Sequence, residues 1–296
     1  MTPFRPGFIV HVYYPRARTS HGVTLERVRA AADTGLYRAV EIAEVTDRRE
    51  RESIRRLVEE RDLTLAYWVS MLQVESSDSI SDPDERVRAR AVARLVPHVS
   101  YAAECGARSL AIVPGRDVGA RRRPGAIENL RRSILELDRE ARAAGVDRME
   151  METMDREAHK KHVLGPTDES VAFITEVRRE VPGFGMVFDT SHIRLLGEDP
   201  AESLRLAAPV ISRIHFANCV PDPDHPQYGD HHMPLGVPGY LDANEIERLL
   251  RVALEVGALE PDTAASIEVA GPGGEASDQV ELDVRQTMTD VLDKLT

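Results

Sequence analysis

Cysteine, lysine and long apolar runs are scarce in this sequence. Its 296 residues include only two cysteines, Cys105 and Cys219, and three lysines. Two cysteines are too few for a disulfide framework, which favours a reducing compartment. No apolar run approaches the roughly 20 residues that a membrane span needs. The start of the chain, MTPFRPGFIVHVYYP, lacks the basic segment and long apolar run of a secretory signal. We therefore expect a cytoplasmic protein with no membrane partner.

Positive charge is also in short supply. There are 38 lysine and arginine residues against 50 aspartate and glutamate residues, so the formal net charge is −12. Nucleic-acid binding depends on basic side chains that neutralise backbone phosphates, and we therefore expect no nucleic-acid partner. The negative net charge is compatible with a small-molecule substrate, including a phosphorylated one.

Glycine-rich phosphate loops are absent too, although the chain alternates regularly between strand-like and helix-like segments. Eight strand-like runs occupy residues 7–13, 38–43, 63–69, 109–113, 146–153, 185–189, 211–217 and 264–269. A helical pattern follows each run, and strict alternation predicts parallel strands joined by right-handed crossovers. Eight such units predict an α/β fold, a closed (β/α)₈ TIM barrel, as a single domain over residues 1–296. The alternative, a doubly wound open sheet, would usually carry a G-x-G-x-x-G motif or a P-loop, and the sequence has neither.

Acidic residues and histidines are concentrated where the strand-like runs end. Half of the ten histidines lie between residues 186 and 242. The polar or aromatic residues near the run ends are His11, Glu41, Glu44, Trp68, Glu150, Glu152, Asp189, His192, His215, Asp230, His231, His232 and Glu268. In TIM barrels the carboxyl ends of the strands form the active site. Carboxylate oxygens with imidazole nitrogens suit Mn²⁺, Mg²⁺, Co²⁺ or Zn²⁺ better than a thiolate-preferring metal. The pattern therefore predicts a metal-dependent active site.

Five motifs in the second half of the chain carry a family resemblance. They are MEMET around Glu152, FDTSH at 188–192, IHFANC around His215, GDHHMPLG at 229–236 followed by GYLD at 239–242, and SIEV around Glu268. In this order they resemble the xylose-isomerase-like TIM barrels, the sugar-phosphate isomerase/epimerase superfamily that also contains the type IV apurinic endonucleases. The motifs cover about the second half of the chain. The alternation of strands and helices extends the resemblance to the whole chain.

The resemblance implies a role for each of these residues. One divalent metal, Mn²⁺ first and Mg²⁺, Co²⁺ or Zn²⁺ as alternatives, would be bound by Glu152, Asp189, His215 and Glu268. Glu152 and Glu268 would also form the catalytic acid–base pair, and His192 would lie beside the metal as a catalytic residue that contacts substrate. Asp230 and His232 would contact substrate or, as in multi-metal members, bind a further metal. The implied reaction is isomerisation or epimerisation of a ketose, inosose or related oxidised sugar through an enediolate.

Four residues near the predicted site allow two interpretations each. Glu150 and Glu152 share one face of the fifth strand, and we favour Glu152 as the ligand because it lies nearer the strand end. Glu150 would then pair with an arginine or be hydrogen-bonded inside the barrel. His11, on the first strand, is a substrate-binding candidate, although a packed and hydrogen-bonded histidine is the simpler interpretation. Trp68, the single tryptophan, is either a core residue or a substrate-binding platform for a sugar ring.

Two loops depart from the family pattern, and a third contains most of the lysines. The compact G-E-G turn after the Asp-x-His loop is replaced by GVPG at 236–239, which alters a loop that shapes substrate fit. The ends of the third and fourth runs, WVS at 68–70 and VPG at 113–115, lack the histidines of a trinuclear endonuclease, so DNA repair is not expected. Lys160 and Lys161 follow the fifth run. We expect a solvated loop there, with a basic lid over an anionic or polyol substrate as the alternative.

Three functional hypotheses follow from these residues. The first is the metal-dependent sugar isomerase or epimerase. The second is a lyase on the same scaffold that eliminates a β-substituent from a keto sugar, as C-glycoside deglycosidases and inosose dehydratases do. The third is a non-catalytic sugar-binding or partner subunit, which would be expected to lack a ligand, whereas all four are present. A homo- or hetero-oligomer is compatible with each hypothesis.

Overall fold

Ten strands lie in the part of the chain that this computed structural model describes, residues 2–271 and 278–295. They are β1 (Arg5–Ile9), β2 (Ala39–Ile42), β3 (Thr64–Trp68), β4 (Ser109–Ile112), β5 (Arg148–Glu152), β6 (Gly185–Asp189), β7 (Ile211–Ala217), β8 (Cys219–Val220), β9 (Gly229–Asp230) and β10 (Ala264–Glu268). Eight of them close a barrel in the order β1-β10-β7-β6-β5-β4-β3-β2, with parallel pairing throughout. β8 and β9 form a separate antiparallel ribbon. The predicted (β/α)₈ TIM barrel is confirmed. Of the predicted domain, Met1, Thr296 and residues 272–277 lie outside the described residues.

Helices surround the barrel and connect successive strands. They are α1 (Val10–Tyr13), α2 (Val23–Asp33), α3 (Arg48–Glu60), α4 (Ser70–Val74), α5 (Glu85–Glu104), α6 (Arg123–Ala144), α7 (Thr167–Val177), α8 (Thr190–Leu195), α9 (Pro200–Ala207), α10 (Ala243–Glu255) and α11 (Asp278–Leu295). Short 3₁₀ helices occupy Pro15–Arg18 and Ala208–Val210. Within the described ranges, no helix combines the length and the apolar character needed to cross a membrane.

Aspartate begins several of these helices. The side chains of Asp47, Asp84, Asp189, Asp199 and Asp242 each accept a hydrogen bond from a backbone N–H in the first turn of the following helix. The first N–H groups of a helix have no partner within it, so a carboxylate there satisfies an otherwise open donor. In this way the sequence sets where the chain turns from a strand end or loop into the next helix.

The first strand is shorter than predicted, and this moves one candidate residue. The run 7–13 was expected to be a single strand with His11 on it, but β1 ends at Ile9 and His11 lies in the short helix α1. A short apolar run does not distinguish a strand from a buried helical turn by its composition. The other strands begin and end within about two residues of prediction, which is the usual precision of element boundaries.

A layer of paired charges fills the barrel interior below the carboxyl ends of the strands. We call Arg213, Glu41, Glu150 and Arg148 the interior charge layer. Arg213 is fully buried; its Nε donates to Glu150 Oε2 at 2.9 Å, and its Nη1 lies 3.2 Å from Glu41 Oε1. Arg148 Nε lies 3.0 Å from the other oxygen of Glu150. Buried charges are tolerated when each is paired in this way, and the two arginines balance the two glutamates.

Candidate metal centre

Four side chains meet at the carboxyl end of the barrel. Glu152 ends β5, Asp189 ends β6, His215 lies in β7 and Glu268 ends β10. One ligand atom from each lies within 4.8 Å of all the others, and all four residues are buried. We call these four residues the mouth cluster. Parallel strands of a barrel end on one side, which is why residues far apart in sequence converge there.

Asp189 is held in place by its own motif. Its Oδ1 accepts hydrogen bonds from Ser191 N at 2.7 Å, Ser191 Oγ at 2.6 Å and His192 N at 3.2 Å. These bonds cap α8 and leave the second carboxylate oxygen outside the cap. Thr190 Oγ1 donates to the Ala217 carbonyl and accepts from the Ala217 N–H, both at 3.0 Å. The FDTSH segment therefore fixes the carboxylate against β7 before any ligand is present.

His215 is oriented from behind by Glu41. Its Nε2 lies 3.0 Å from Glu41 Oε2, while its Nδ1 points to the mouth cluster, 2.6 Å from Glu268 Oε2. Neither Nδ1 nor that Oε2 has a hydrogen-bond partner of good geometry among the described residues. An imidazole nitrogen and a carboxylate oxygen this close require a positive charge next to both atoms, either a proton on Nδ1 or a metal ion that both bind. A carboxylate that holds the far nitrogen of a ligand histidine is a recurrent device of metal sites.

The electrostatics of the mouth cluster indicate an excess of negative charge. Burial, together with the neighbouring carboxylates Glu268 and Asp189, raises the pKa of Glu152 well above its usual range. Burial likewise raises the pKa of Asp189. Burial opposes ionisation of Glu268 as well, but His215 and His232 hold its pKa well below normal. A divalent cation would relieve this repulsion, and three carboxylates with one imidazole are ligands that such a cation prefers. The mouth cluster could therefore bind a divalent metal.

His192 lies beside the cluster, where it was expected. Its Nε2 is 3.7 Å from Glu152 Oε1, and its Nδ1 is 3.2 Å from Asp155 Oδ2. Asp155 also accepts the backbone N–H of Lys160 at 2.9 Å. Burial would lower the pKa of His192, but Asp155 and the surrounding carboxylates raise it to about 10. Asp155 was not predicted as a site residue.

The loop after β8 brings Asp230 and His232 to the same mouth. His232 Nε2 lies 3.0 Å from Glu268 Oε1 and 3.9 Å from Asp230 Oδ2. Asp230 Oδ2 also lies 3.1 Å from Lys160 Nζ. Burial would raise the pKa of Asp230, but His232 and Lys160 hold it well below normal. Lys161 is exposed, as predicted for a solvated loop. The same prediction is wrong for Lys160, which is only partly exposed because it forms an ion pair with Asp230 at the mouth.

Comparison with known proteins places this geometry in a family. Residues 28–257 match the family model described as xylose isomerase-like TIM barrel. The chain belongs to that family. This confirms the resemblance drawn from the five motifs. Comparison of the sequence with curated proteins finds no significant match.

Solved structures share the fold of this xylose isomerase-like barrel at low sequence identity. D-psicose 3-epimerase with D-tagatose from Clostridium cellulolyticum H10 is 15% identical with a TM-score of 0.68, covering 98% of this chain and 96% of that one. The 3-keto-D-glucoside 4-epimerase from E. coli is 15% identical with a TM-score of 0.68, covering 97% and 98%. The IolI protein with a zinc atom is 15% identical with a TM-score of 0.71, covering 98% of each chain.

One wall of the cavity in this xylose isomerase-like barrel is aromatic. Trp68 is 2% exposed, and its Nε1 donates to Glu41 Oε2 at 2.8 Å. Its ring centroid lies 5.3 Å from that of His215 and 6.1 Å from that of His11. A cavity of about 550 Å³ is lined by His11, Trp68, Glu152, Lys160, His192, His215, Asp230, His232 and Glu268, among others. Trp68 is thus a buried residue that also faces the cavity, and His11 faces the same cavity from α1.

Sequence reasoning missed three residues that support the site of this family member. Glu41 was noted near the end of the second run without a role, and Asp155 and Arg213 were not singled out. Glu41 receives hydrogen bonds from Trp68, from Ser266 Oγ at 2.6 Å and from His215. A glutamate buried in the middle of an apolar strand was the available signal, because such a charge requires a partner.

Proposed function

We propose that this protein is a divalent-metal-dependent isomerase or epimerase of a ketose, inosose or related oxidised sugar. The observation that carries the proposal is the pair of facing atoms, His215 Nδ1 and Glu268 Oε2, without hydrogen-bond partners among the described residues, inside a buried three-carboxylate cluster. Relatives in fold support the substrate class. Two of those described above are sugar epimerases, and the third carries zinc.

The cation would be held by Glu152, Asp189, His215 and Glu268, and Mn²⁺ is the ion we expect first. When bound, such an ion supplies Lewis acidity toward a substrate carbonyl oxygen. The preference for Mn²⁺ over Zn²⁺ rests on the donor set, which has three oxygen ligands and one nitrogen ligand.

Two carboxylates are placed to move a proton. β6 and β7 lie between the strands that carry Glu152 and Glu268, so the two side chains approach a bound sugar from different directions. One carboxylate takes the proton from the carbon next to the carbonyl, and the electron pair of the broken C–H bond forms the C=C bond of the enediolate. The other carboxylate returns a proton to the opposite face, which inverts that carbon. His232 lies 3.0 Å from Glu268 and His192 lies 3.7 Å from Glu152, so each carboxylate has an imidazole beside it.

Hydrogen exchange tests this mechanism directly. Metal-loaded protein is incubated in D₂O with a panel of ketoses and inososes, and NMR follows deuterium at the carbon next to the carbonyl and the appearance of the epimer. Glu152→Gln and Glu268→Gln should each lower the exchange rate by about 10²–10⁴-fold, because each removes a group that transfers the proton. Glu44→Gln is the control and should keep the exchange rate. Glu44 follows β2 and is paired with Arg18 at 2.7 Å, so it is not one of the proton-transferring groups. Full activity in both glutamine variants would exclude the mechanism.

The same spectra separate the lyase and the binding subunit from the isomerase. A lyase would use the same proton abstraction next to a ketone, but would release water or an aglycone instead of an epimer. A non-catalytic subunit would bind sugar without exchange. Elemental analysis of protein purified without chelator is the companion measurement, and about one equivalent of divalent metal, lost in Glu268→Gln, is the result we expect for a four-ligand site.

A further inference from the structure

A second cavity lies next to the one that contains the mouth cluster. It encloses about 680 Å³, and its lining includes Gln73, Ser76, Ser77, Ser79, Arg116 and His162. Val74 and Lys160 line both cavities, so the two spaces adjoin at these residues. The first cavity, at about 550 Å³, is the smaller of the two. A substrate that filled only the mouth would leave the larger space unused.

Three chain segments are joined firmly to form the wall of the second cavity. The Gln73 side chain donates to the Val113 carbonyl at 2.8 Å and accepts from the Val113 N–H at 2.9 Å. The N–H of Val163 donates to the Gly115 carbonyl at 2.9 Å. Gly115 has a φ of +93°, and a Cβ there would lie 2.2 Å from Ser79 Oγ. The close approach of Gly115 to Ser79 therefore requires glycine, and the wall is preformed.

The lining is rich in hydroxyl groups and nearly neutral. Lys160 is matched by Asp230, and the carboxylate of Asp78, another lining residue, is matched by Arg90 at 3.0 Å. Burial, and then the nearby His192, lowers the pKa of His162 to about 3, so its imidazole is uncharged at neutral pH. Arg116 is the remaining lining cation among the described residues, and its guanidinium already donates to the Val74 carbonyl at 3.3 Å. Serine hydroxyls and a neutral imidazole match the hydroxyls of a sugar ring better than they match a phosphate.

We propose that the second cavity is a subsite for a second, uncharged sugar ring, so that the substrate is a ketose-terminated disaccharide. The inference rests on the proposed function, because the reacting ketose must occupy the first cavity. Lys160 and Val74, at the junction, would lie along the glycosidic linkage. The inference names the size and charge of the substrate, which the mouth cluster alone does not determine.

Titration calorimetry with Mn²⁺-loaded protein tests the subsite. The probes are D-fructose, D-fructose 6-phosphate and three glycosyl fructoses that differ in the linked oxygen: turanose (O3), lactulose (O4) and isomaltulose (O6). At least one disaccharide should bind about tenfold more tightly than D-fructose, as a few added hydrogen bonds would give. Ser77→Trp should remove this gain and leave D-fructose binding within about twofold, because Ser77 lines only the second cavity.

Ser77 is exposed, so a tryptophan there requires no repacking of the core. The exposed Ser20→Trp, in the loop after β1 and outside both linings, is the matched control and should keep the gain. His162→Gln is a second variant that should weaken only the disaccharide.

Each remaining outcome contradicts the inference in its own way. Disaccharides that bind no more tightly than D-fructose, while D-fructose still exchanges hydrogen in D₂O, would overturn the subsite and leave the proposed function intact. A gain for D-fructose 6-phosphate alone would overturn the assignment of an uncharged ring. No binding and no exchange with any of these sugars or with the ketose and inosose panel would overturn both proposals together.

Discussion

The barrel contains two layers of buried charge that differ in one respect. In the interior charge layer, two arginines face two glutamates, with Arg213 placed between Glu41 and Glu150. In the mouth cluster, three carboxylates and one histidine face one another. Except for the partly exposed Arg148, both layers are buried away from water, and a buried charge without a partner is costly. The interior layer is neutralised by two arginines of the chain, whereas the mouth cluster could hold a divalent cation.

Glu41 connects the two layers. It is paired with Arg213 in the interior and lies 3.0 Å from His215 Nε2 at the mouth. Burial would raise the pKa of Glu41, but Arg213 and His215 hold it well below its usual range, so it is a permanent anion. One carboxylate therefore serves both layers, because it pairs with Arg213 and also orients His215, which could bind a metal ion.

The largest expected effect comes from breaking the interior layer. Arg213→Met would leave Glu41 and Glu150 buried without the arginine that they share, and removal of one member of a buried ion pair costs about 3–5 kcal/mol. Urea denaturation measures this as a loss of free energy of unfolding. Arg48→Met, which breaks the exposed Arg48–Glu52 pair on α3, is the control and should change stability by about 0.5 kcal/mol or less. Equal effects of the two substitutions would show that the interior layer is not a structural element.

The next effect concerns metal binding at the mouth cluster. Mn²⁺ at about 100 times its dissociation constant should stabilise the metal-free protein by about 2.7 kcal/mol, since the ion binds the folded state alone. Thermal unfolding with and without Mn²⁺ measures the gain. Glu268→Gln should abolish it, while Glu260→Gln, at an exposed position, should retain it. If Glu268→Gln is stabilised as much as the parent protein, the mouth cluster is not the metal site.

A smaller effect is expected from the residue that joins the layers. Glu41→Gln keeps the shape of the side chain but removes the anion behind His215, and loss of such a partner lowers metal affinity about 10–100-fold. Titration with Mn²⁺ gives the dissociation constant. Glu44→Gln changes a glutamate near the same strand end that pairs with Arg18, so its affinity should match the parent protein. An unchanged Mn²⁺ affinity in Glu41→Gln would show that Glu41 does not influence metal binding at the mouth cluster.

The smallest effect tests a third way to bury a titratable group, which is to keep it neutral. The pKa of His162 is lowered to about 3 in the folded chain, mainly by burial. Between that value and its ordinary pKa of about 6.5, the unfolded chain binds a proton that the folded chain does not, so stability is lost as the pH falls. His162 should therefore contribute a loss of about 1 kcal/mol between pH 6.5 and pH 5.5, because the unfolded histidine goes from half to almost fully protonated over that range.

His162→Gln removes this contribution, and urea denaturation at the two pH values measures the difference in slope. The exposed His21→Gln variant should keep the slope of the parent protein. Identical slopes in all three proteins would show that His162 becomes protonated without cost.

Much of the site followed from position along the chain. The four residues of the mouth cluster were among thirteen candidates near the ends of strand-like runs, which in a (β/α)₈ order must end on one side. The family resemblance then singled out these four as the predicted ligands. His192, Asp230 and His232 were found by their motifs and do lie at the mouth. Glu41, Asp155 and Lys160 acquired their roles only through contacts across 174, 37 and 70 residues of chain: Glu41 with His215, Asp155 with His192 and Lys160 with Asp230.

By itself the sequence determined the alternation of strands and helices, the closed barrel and the end of the barrel that carries the chemistry. These depend on local periodicity and capping, which each segment carries within a few residues. The tertiary structure decided that Glu150 faces Arg213 while Glu152 faces the mouth, that Lys160 turns inward, and that three loops enclose a second cavity. These depend on how the barrel closes and how loops from different strands meet, and no single segment encodes the position of the others.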